Sequence, residues 1–345
     1  MSAQPMSGGK GRVHVSTIGS DLIAAVREAL EGSGIAAGIK SDTRIALKPN
    51  LTFPTPKMGV TTSPEVLRAL VQVLRERTKR ISIVESDGGY GAWTAEDAFN
   101  GHGLRSLESD FGAKLVNLCK EPSRQVPISR DEGSPSIPLP VRLLEETDLL
   151  ISMPVPKIHC MTGLTLAFKN QWGCIPDNMR LRAHHMFNRA IVEINRLLKP
   201  MVLSDGTYFL DRNGPMEGDP VKMDLIIGAS NPGVFDRYVS ELMGFSWRDV
   251  SHLKYAAECG DLPSRLEDME FNAPPETFRK RAFHLKRTMR NWIALSGFHS
   301  KTITWLGYES WFGKHVLHGI LYALAGKPTP PVLRSSSGTD SPRVL

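Results

Sequence analysis

The chain has 345 residues, 41% of them hydrophobic and 23% charged, which is ample for one large domain or two smaller ones and argues against wholesale disorder. Its formal charge of +6 is modest, and no run approaches the roughly 20 apolar residues that cross a bilayer. Cys119, Cys160, Cys174 and Cys259 stand apart without a C-x-x-C pair, which argues against a disulfide framework, a zinc finger or a self-contained iron–sulfur cluster; no such cluster is expected.

Residues 1–11 are small and polar, lack the apolar centre of a secretory signal, and read as a flexible tail, so a cytoplasmic location is the default expectation. Arg12–Val15 reads as a first strand, followed by a helix over 21–31 and a strand over 44–48. Ser63 as N-cap and Pro64 at the first helical position open a helix that runs to about Arg77. A strand over 81–85 and a helix over 95–101 continue the alternation. Lys120–Pro140 holds five prolines and reads as an excursion such as a hairpin. Thr147–Met153, closed by Pro154, has the pattern of a buried strand, and Gly163–Trp172 has the Leu/Ala/Phe content of a helix, with Lys157 and His159 in the loop between them. A helix over 185–198, strands over 201–204 and 224–228, and a helix led by Asn231-Pro232-Gly233 complete the pattern. The alternation predicts an α/β domain over 12–260, a mainly parallel twisted sheet with helices on both faces. Beyond it are expected a basic, mostly helical region over 261–330 and a disordered tail over 331–345.

If the strands are parallel, their carboxyl ends deliver polar residues to one edge, where ligands of open α/β sheets collect. Those residues are Lys48 and Asn50, Glu85 and Asp87, Lys157 and His159, and Asp205. Lys169 sits in an apolar helical stretch, and a buried lysine suits a base, a Schiff-base former or an anion clamp. His184 or His185 could supply a second acid/base group. The expected catalytic set is Lys157, His159, Lys169, His184 and His185, with Lys48, Asn50, Asp87, Asn170 and Asp205 as substrate-binding residues. A metal held by His159, His185 and Asp205 is the alternative use of the same groups.

Lys48-Pro49-Asn50-Leu51, Thr61-Thr62-Ser63-Pro64-Glu65, Lys157-Ile158-His159, Thr165-Leu166, Lys169 to Cys174, and Asp205-Gly206 before Asn213-Gly214-Pro215 resemble, in order and spacing, the family called domain of unknown function 362. The likeness runs from about residue 44 to about 245. The family's usual motif is lysine-threonine-histidine, so Ile158 replaces a hydroxyl; many members also carry a cysteine-rich iron–sulfur segment that this chain lacks.

The favoured reading is an enzyme that acts on a small anionic metabolite by acid/base chemistry of isomerase, lyase or transferase type. The lysines would hold the anion and His159 would move protons. The competing readings are a metal- or cluster-dependent redox protein and a non-catalytic protein that binds a partner or membrane surface. The last draws on residues 278–327, where Trp305, Tyr308, Trp311, Phe312, Leu317, Ile320, Leu321 and Leu324 mix with basic residues as in interfacial helices. Nucleic acid is not an expected partner.

Overall fold

The computed structural model describes residues 10–128 and 133–289, and beyond them 291–292, 295, 300–308, 310–317, 332–333 and 343–344. The chain alternates β1 (Gly11–Thr17), α1 (Leu22–Gly32), β2 (Ile45–Pro49), α2 (Pro64–Arg75), β3 (Ile81–Glu85), α3 (Ala95–Gly101), α4 (Arg105–Phe111) and β4 (Lys114–Asn117). A hairpin of β5 (Ser123–Pro127) and β6 (Ser136–Pro140) follows, where the prolines marked an excursion, then α5 (Val141–Glu145) and β7 (Leu149–Met153). The central sheet has the order β12-β1-β11-β10-β7-β2-β3-β4, where β10 is Met201–Asp211, β11 Asp219–Ala229 and β12 Met269–Phe271. Neighbours are parallel except where β11 runs antiparallel to β1 and β10. Strands β10, β7, β2 and β3 lie consecutively, so the carboxyl ends that carry the polar residues are adjacent.

The two faces follow from the period of two along each strand. Ile45, Leu47, Ile81, Ile83, Ile151, Met153, Leu203 and Ile226 pack with α1 to α4 on one side. Ala46, Val84, Leu150, Val202 and Ile227 pack on the other with α7 (Phe187–Leu198), α8 (Pro232–Leu242) and α9 (Ser251–Glu258). Helices therefore cover both faces.

Two elements differ from the sequence expectation. Gly163–Trp172 is not one helix: β8 (Lys157–His159) pairs antiparallel with β9 (Gly163–Thr165), and only Ala167–Asn170 (α6) is α-helical, with a 3₁₀ turn at Gln171–Cys174. Gly163 at φ +79° turns the chain back, and the Thr162 hydroxyl donates to the Leu164 carbonyl at 3.1 Å, so local pairing overrides helix propensity. Strand β10 also runs past Ser204 to Asp211, because β11 extends equally far opposite it. Gly206 is required in that hairpin: a Cβ there would meet the Leu225 carbonyl oxygen at 2.7 Å.

Of the region 261–330, expected to be mostly helical, the part up to 289 is β12 and turns laid over the α/β domain; helix α10 begins at Lys301 and ends at Tyr308. Phe283 is buried there, Arg281 pairs with Asp211 at 2.7 Å, and Arg287 donates to the Cys160 carbonyl at 2.6 Å. The tail expected over 331–345 lies almost wholly outside the described residues, as does 1–9 of the N-terminal tail. Among the described residues no helix is long and apolar enough to cross a membrane.

Candidate functional site

The far half of β10 overhangs the parallel sheet and receives β8 through the pair Leu210–Lys157. Within β8 the period of two puts Lys157 and His159 on one face and Ile158 on the other, in the apolar core. The position where the family usually carries threonine is thus turned away from the two polar residues, so the missing hydroxyl is a loss to the core face only.

His159 is nearly buried, and its Nδ1 accepts the backbone N–H groups of Met161 at 3.1 Å and Thr162 at 3.3 Å. An imidazole nitrogen that accepts carries no proton, so the neutral ring bears its hydrogen on Nε2. Burial, and then Lys169, Lys157, His184 and His252, hold the His159 pKa well below the ordinary histidine value. Lys157 is fully buried, donates to the Val60 carbonyl, and is brought by burial from 10.5 to about 7. Lys169, on α6, donates to the Thr162 hydroxyl at 2.8 Å and lies 5.7 Å from the Phe187 ring centroid. Burial lowers its pKa strongly, Cys160 opposes this in part, and Lys157 adds a lesser lowering. Lys157 and Lys169 form no ion pair with a carboxylate among the described residues.

His184 stacks on Trp172 at 5.7 Å between ring centroids and meets Phe187 edge-on at 6.2 Å. His252 of α9 packs on Phe187 at 5.6 Å and is pushed down to about 3 by burial and by Lys169. The His252 Nε2 and the Thr165 hydroxyl, which stands opposite Lys157 in the hairpin register, are buried without a hydrogen-bond partner among the described residues. Lys157, Lys169, His184 and His252 thus all lie near enough to act on His159, with Lys157, His159 and His252 buried and Lys169 and His184 half-buried, and with the two unanswered polar atoms of His252 and Thr165 among them.

The other expected residues lie along the same edge but are engaged in holding it. Lys48 pairs with Glu85 at 2.7 Å, both buried, and also donates to the Pro49 carbonyl. Asn170 donates to the Lys48 carbonyl at 3.1 Å and the Ser152 hydroxyl at 3.0 Å, stitching β2 to β7. Asn50 accepts from Thr52 N–H at 3.3 Å. Asp87 accepts from Ala95 N–H and the Asn117 amide, at the start of α3. Asp205 accepts from Ser63 N–H at 2.7 Å and from both Thr207 donors, fixing the entry to α2. His185 is exposed, with Nδ1 2.9 Å from the Arg182 carbonyl. His159, His185 and Asp205 do not converge, and no group of three or more metal-ligating side chains occurs among the described residues. Cys174 is fully buried and pushed up to about 12, which leaves a thiol rather than a thiolate.

The sequence does not single out His252, and it marks Thr165 only as part of the Thr165-Leu166 motif, with no role assigned. His252 is one histidine in an ordinary amphipathic helix, and Thr165 was read as helical. The buried carboxylate of Asp236, on α8, accepts the Ala167 N–H at 2.7 Å and the Phe168 N–H at 3.2 Å, and so orients the short helix that presents Lys169. Burial raises its pKa well above the carboxylate range.

A mixed sheet covered by helices on both faces, with a largely buried group of lysine and histidine side chains beside its carboxyl edge, defines the class of protein. The sequence model described as Domain of unknown function (DUF362) matches residues 45–241, more than half of the chain, and the chain belongs to that family. It is 29% identical over 227 residues to the thylakoid-associated protein sll1697 of Synechocystis, which spans 62% of this chain and 67% of that protein. Among solved structures, the lactate racemase apoprotein of Thermoanaerobacterium thermosaccharolyticum superposes with a TM-score of 0.41 at 16% identity, over 65% of this chain and 55% of the other. A Thermotoga maritima protein superposes with a TM-score of 0.37 at 14% identity, over 70% and 59%. The chain thus spans less than two thirds of either solved neighbour.

Proposed function

We propose that the chain is an enzyme that binds a small anion between Lys157 and Lys169 and carries out proton transfer on it. The observation that supports this reading is that Lys157, buried, and Lys169, half-buried, lie beside the buried His159 and form no ion pair with a carboxylate among the described residues. A buried positive patch is costly when empty and is relieved by an anionic ligand. The roles differ from the sequence expectation in one respect. With Nδ1 committed as an acceptor, neutral His159 is a hydrogen-bond donor through Nε2, suited to an oxygen on which negative charge develops. Proton removal then falls to Lys157, whose pKa of about 7 leaves a good fraction as free amine at neutrality. In the step, the amine takes a proton from the substrate and becomes ammonium, the substrate oxygen gains the negative charge, and protonated Lys169 balances the anionic group. Return of the proton to either side of the substrate, or loss of a leaving group, gives isomerase or lyase chemistry. The proposed location is the cytoplasm; the name of the Synechocystis relative makes a membrane-facing location the alternative.

The test is incubation with a panel of small carboxylates and phosphate monoesters in D₂O, followed by proton NMR and by thermal shift. At least one panel member is expected to raise the melting temperature and to exchange a C–H proton. Lys157→Met should slow that exchange by about 10²–10⁴-fold, and Lys169→Met should weaken binding. A panel that never shifts the wild type, or exchange that survives Lys157→Met, overturns the reading.

A further inference from the structure

Helix α10 is turned inside out. Among its described side chains the buried one is the polar Thr304, 6% exposed, and the helix packs on the turn Arg180–Met186. Ile303, Trp305 (55% exposed) and Leu306 point outward. An amphipathic surface helix ordinarily buries its apolar stripe and leaves threonine to water. Further exposed apolar side chains are Trp311 (71% exposed), Phe312 and Leu317 in the segment after the helix, whose turn contacts it, and Met289 and Trp292 before it in the chain. An exposed apolar cluster of this kind marks an interaction site.

The charge around it selects the occupant. Over 278–327 the sequence carries nine basic residues against the single acid Glu309; Arg279 and Arg281 are paired with Glu241, Glu276 and Asp211 of the domain, while Lys280, Lys286 and, on α10 itself, Lys301 are exposed. A two-fold contact with another copy would set these like charges against each other, and lysine is depleted at protein interfaces. Tryptophan with lysine beside aliphatic side chains is instead the composition of a surface seated at the boundary between lipid headgroups and acyl chains. We infer that the face formed by Ile303, Trp305, Leu306, Trp311 and Phe312 docks on an anionic lipid bilayer. The further apolar residues Ile320, Leu321 and Leu324, expected to join it, lie outside the described residues.

The experiment is flotation of the full chain with vesicles of phosphatidylcholine alone and of phosphatidylcholine mixed with phosphatidylglycerol. The wild type should float with the mixed vesicles and not with the neutral ones, and added salt should weaken the binding. The double variant Trp305→Glu/Leu306→Glu should bind at least about tenfold more weakly, since it removes apolar area from the docking face and adds repulsive charge. Its melting temperature should match the wild type, because both side chains point outward. Should that variant fold poorly, Trp311→Ala with Phe312→Ala serves the same purpose. Absence of flotation by the wild type, or undiminished flotation by well-folded variants of both kinds, overturns the inference. So does a wild-type dimer in sedimentation that the same variants dissolve, which would assign the face to a second copy.

Discussion

At the scale of single residues, Lys157 ties the site to stability. Its pKa falls from 10.5 in the unfolded chain to about 7 in the folded one. Between those values the unfolded chain holds a proton that the folded chain has released, so stability rises with pH across that window and the full penalty stands below it. Lys169 is displaced in the same direction. Each unit is worth about 1.4 kcal/mol. Lys157→Met is therefore expected to raise the melting temperature of ligand-free protein at pH 7 and to flatten its rise toward pH 10; a lower melting temperature at pH 7 would show that the bond to Val60 outweighs burial. Anion binding follows the opposite course. An anion held by the Lys169 ammonium should bind more weakly as pH rises through the lowered Lys169 pKa, by up to about tenfold per unit, measurable by calorimetry at pH 6.5 and 8.5. Lys157 and His159 were legible in the sequence because they follow an apolar strand and a proline. The tautomer of His159 was not, since it depends on two backbone N–H groups that a turn at 160–162 aims at the ring. Nothing in Ser251–Glu258 distinguishes His252 until α9 is packed against Phe187.

At the scale of elements, the edge of the sheet is held by polar groups that read from sequence as substrate ligands. Asp205→Ala should cost about 1–2 kcal/mol by freeing the Ser63 N–H at the start of α2, without changing the response to an anion. Loss of that response together with unaltered stability would return Asp205 to the binding set. Glu85→Gln should cost more, about 3–5 kcal/mol, because it strands the Lys48 ammonium in the interior; denaturant melts of the single variant and of Lys48→Met/Glu85→Leu, in which much of the loss should be recovered, check this. The strands and the Ser63 cap were legible because apolar runs and capping chemistry are local. The β8–β9 hairpin was not. Leu164, Leu166, Ala167 and Phe168 carry helix-favouring content, and only pairing of Lys157 with Thr165 makes the first part a strand.

At the scale of the whole molecule, residues 261–288 belong to the domain they cover. Met269–Phe271 adds a parallel edge strand to β1, Phe283 enters the core, and Arg287 reaches the Cys160 carbonyl at the turn of the site hairpin. A chain ended after Pro275 should melt earlier, since burial of Phe283 alone is worth about 1.5–3 kcal/mol. An unchanged melt would make the segment an accessory. The parallel half of the sheet was legible from strand–helix alternation. The reversal of β11 between β10 and β1 was not, because alternation does not state direction when connections vary in length.

The site hairpin also constrains how this chain can vary. Strand β8 is three residues long and meets β10 through one residue pair. Adding or removing one residue between Pro154 and Lys157 would invert its parity, bringing Ile158 to the ligand side and driving a lysine and a histidine into hydrocarbon. Spacing here is therefore harder to change than identity: a substitution at 157 or 159 keeps the parity of the hairpin, whereas a one-codon insertion or deletion just before them would disrupt the hairpin and its packing together.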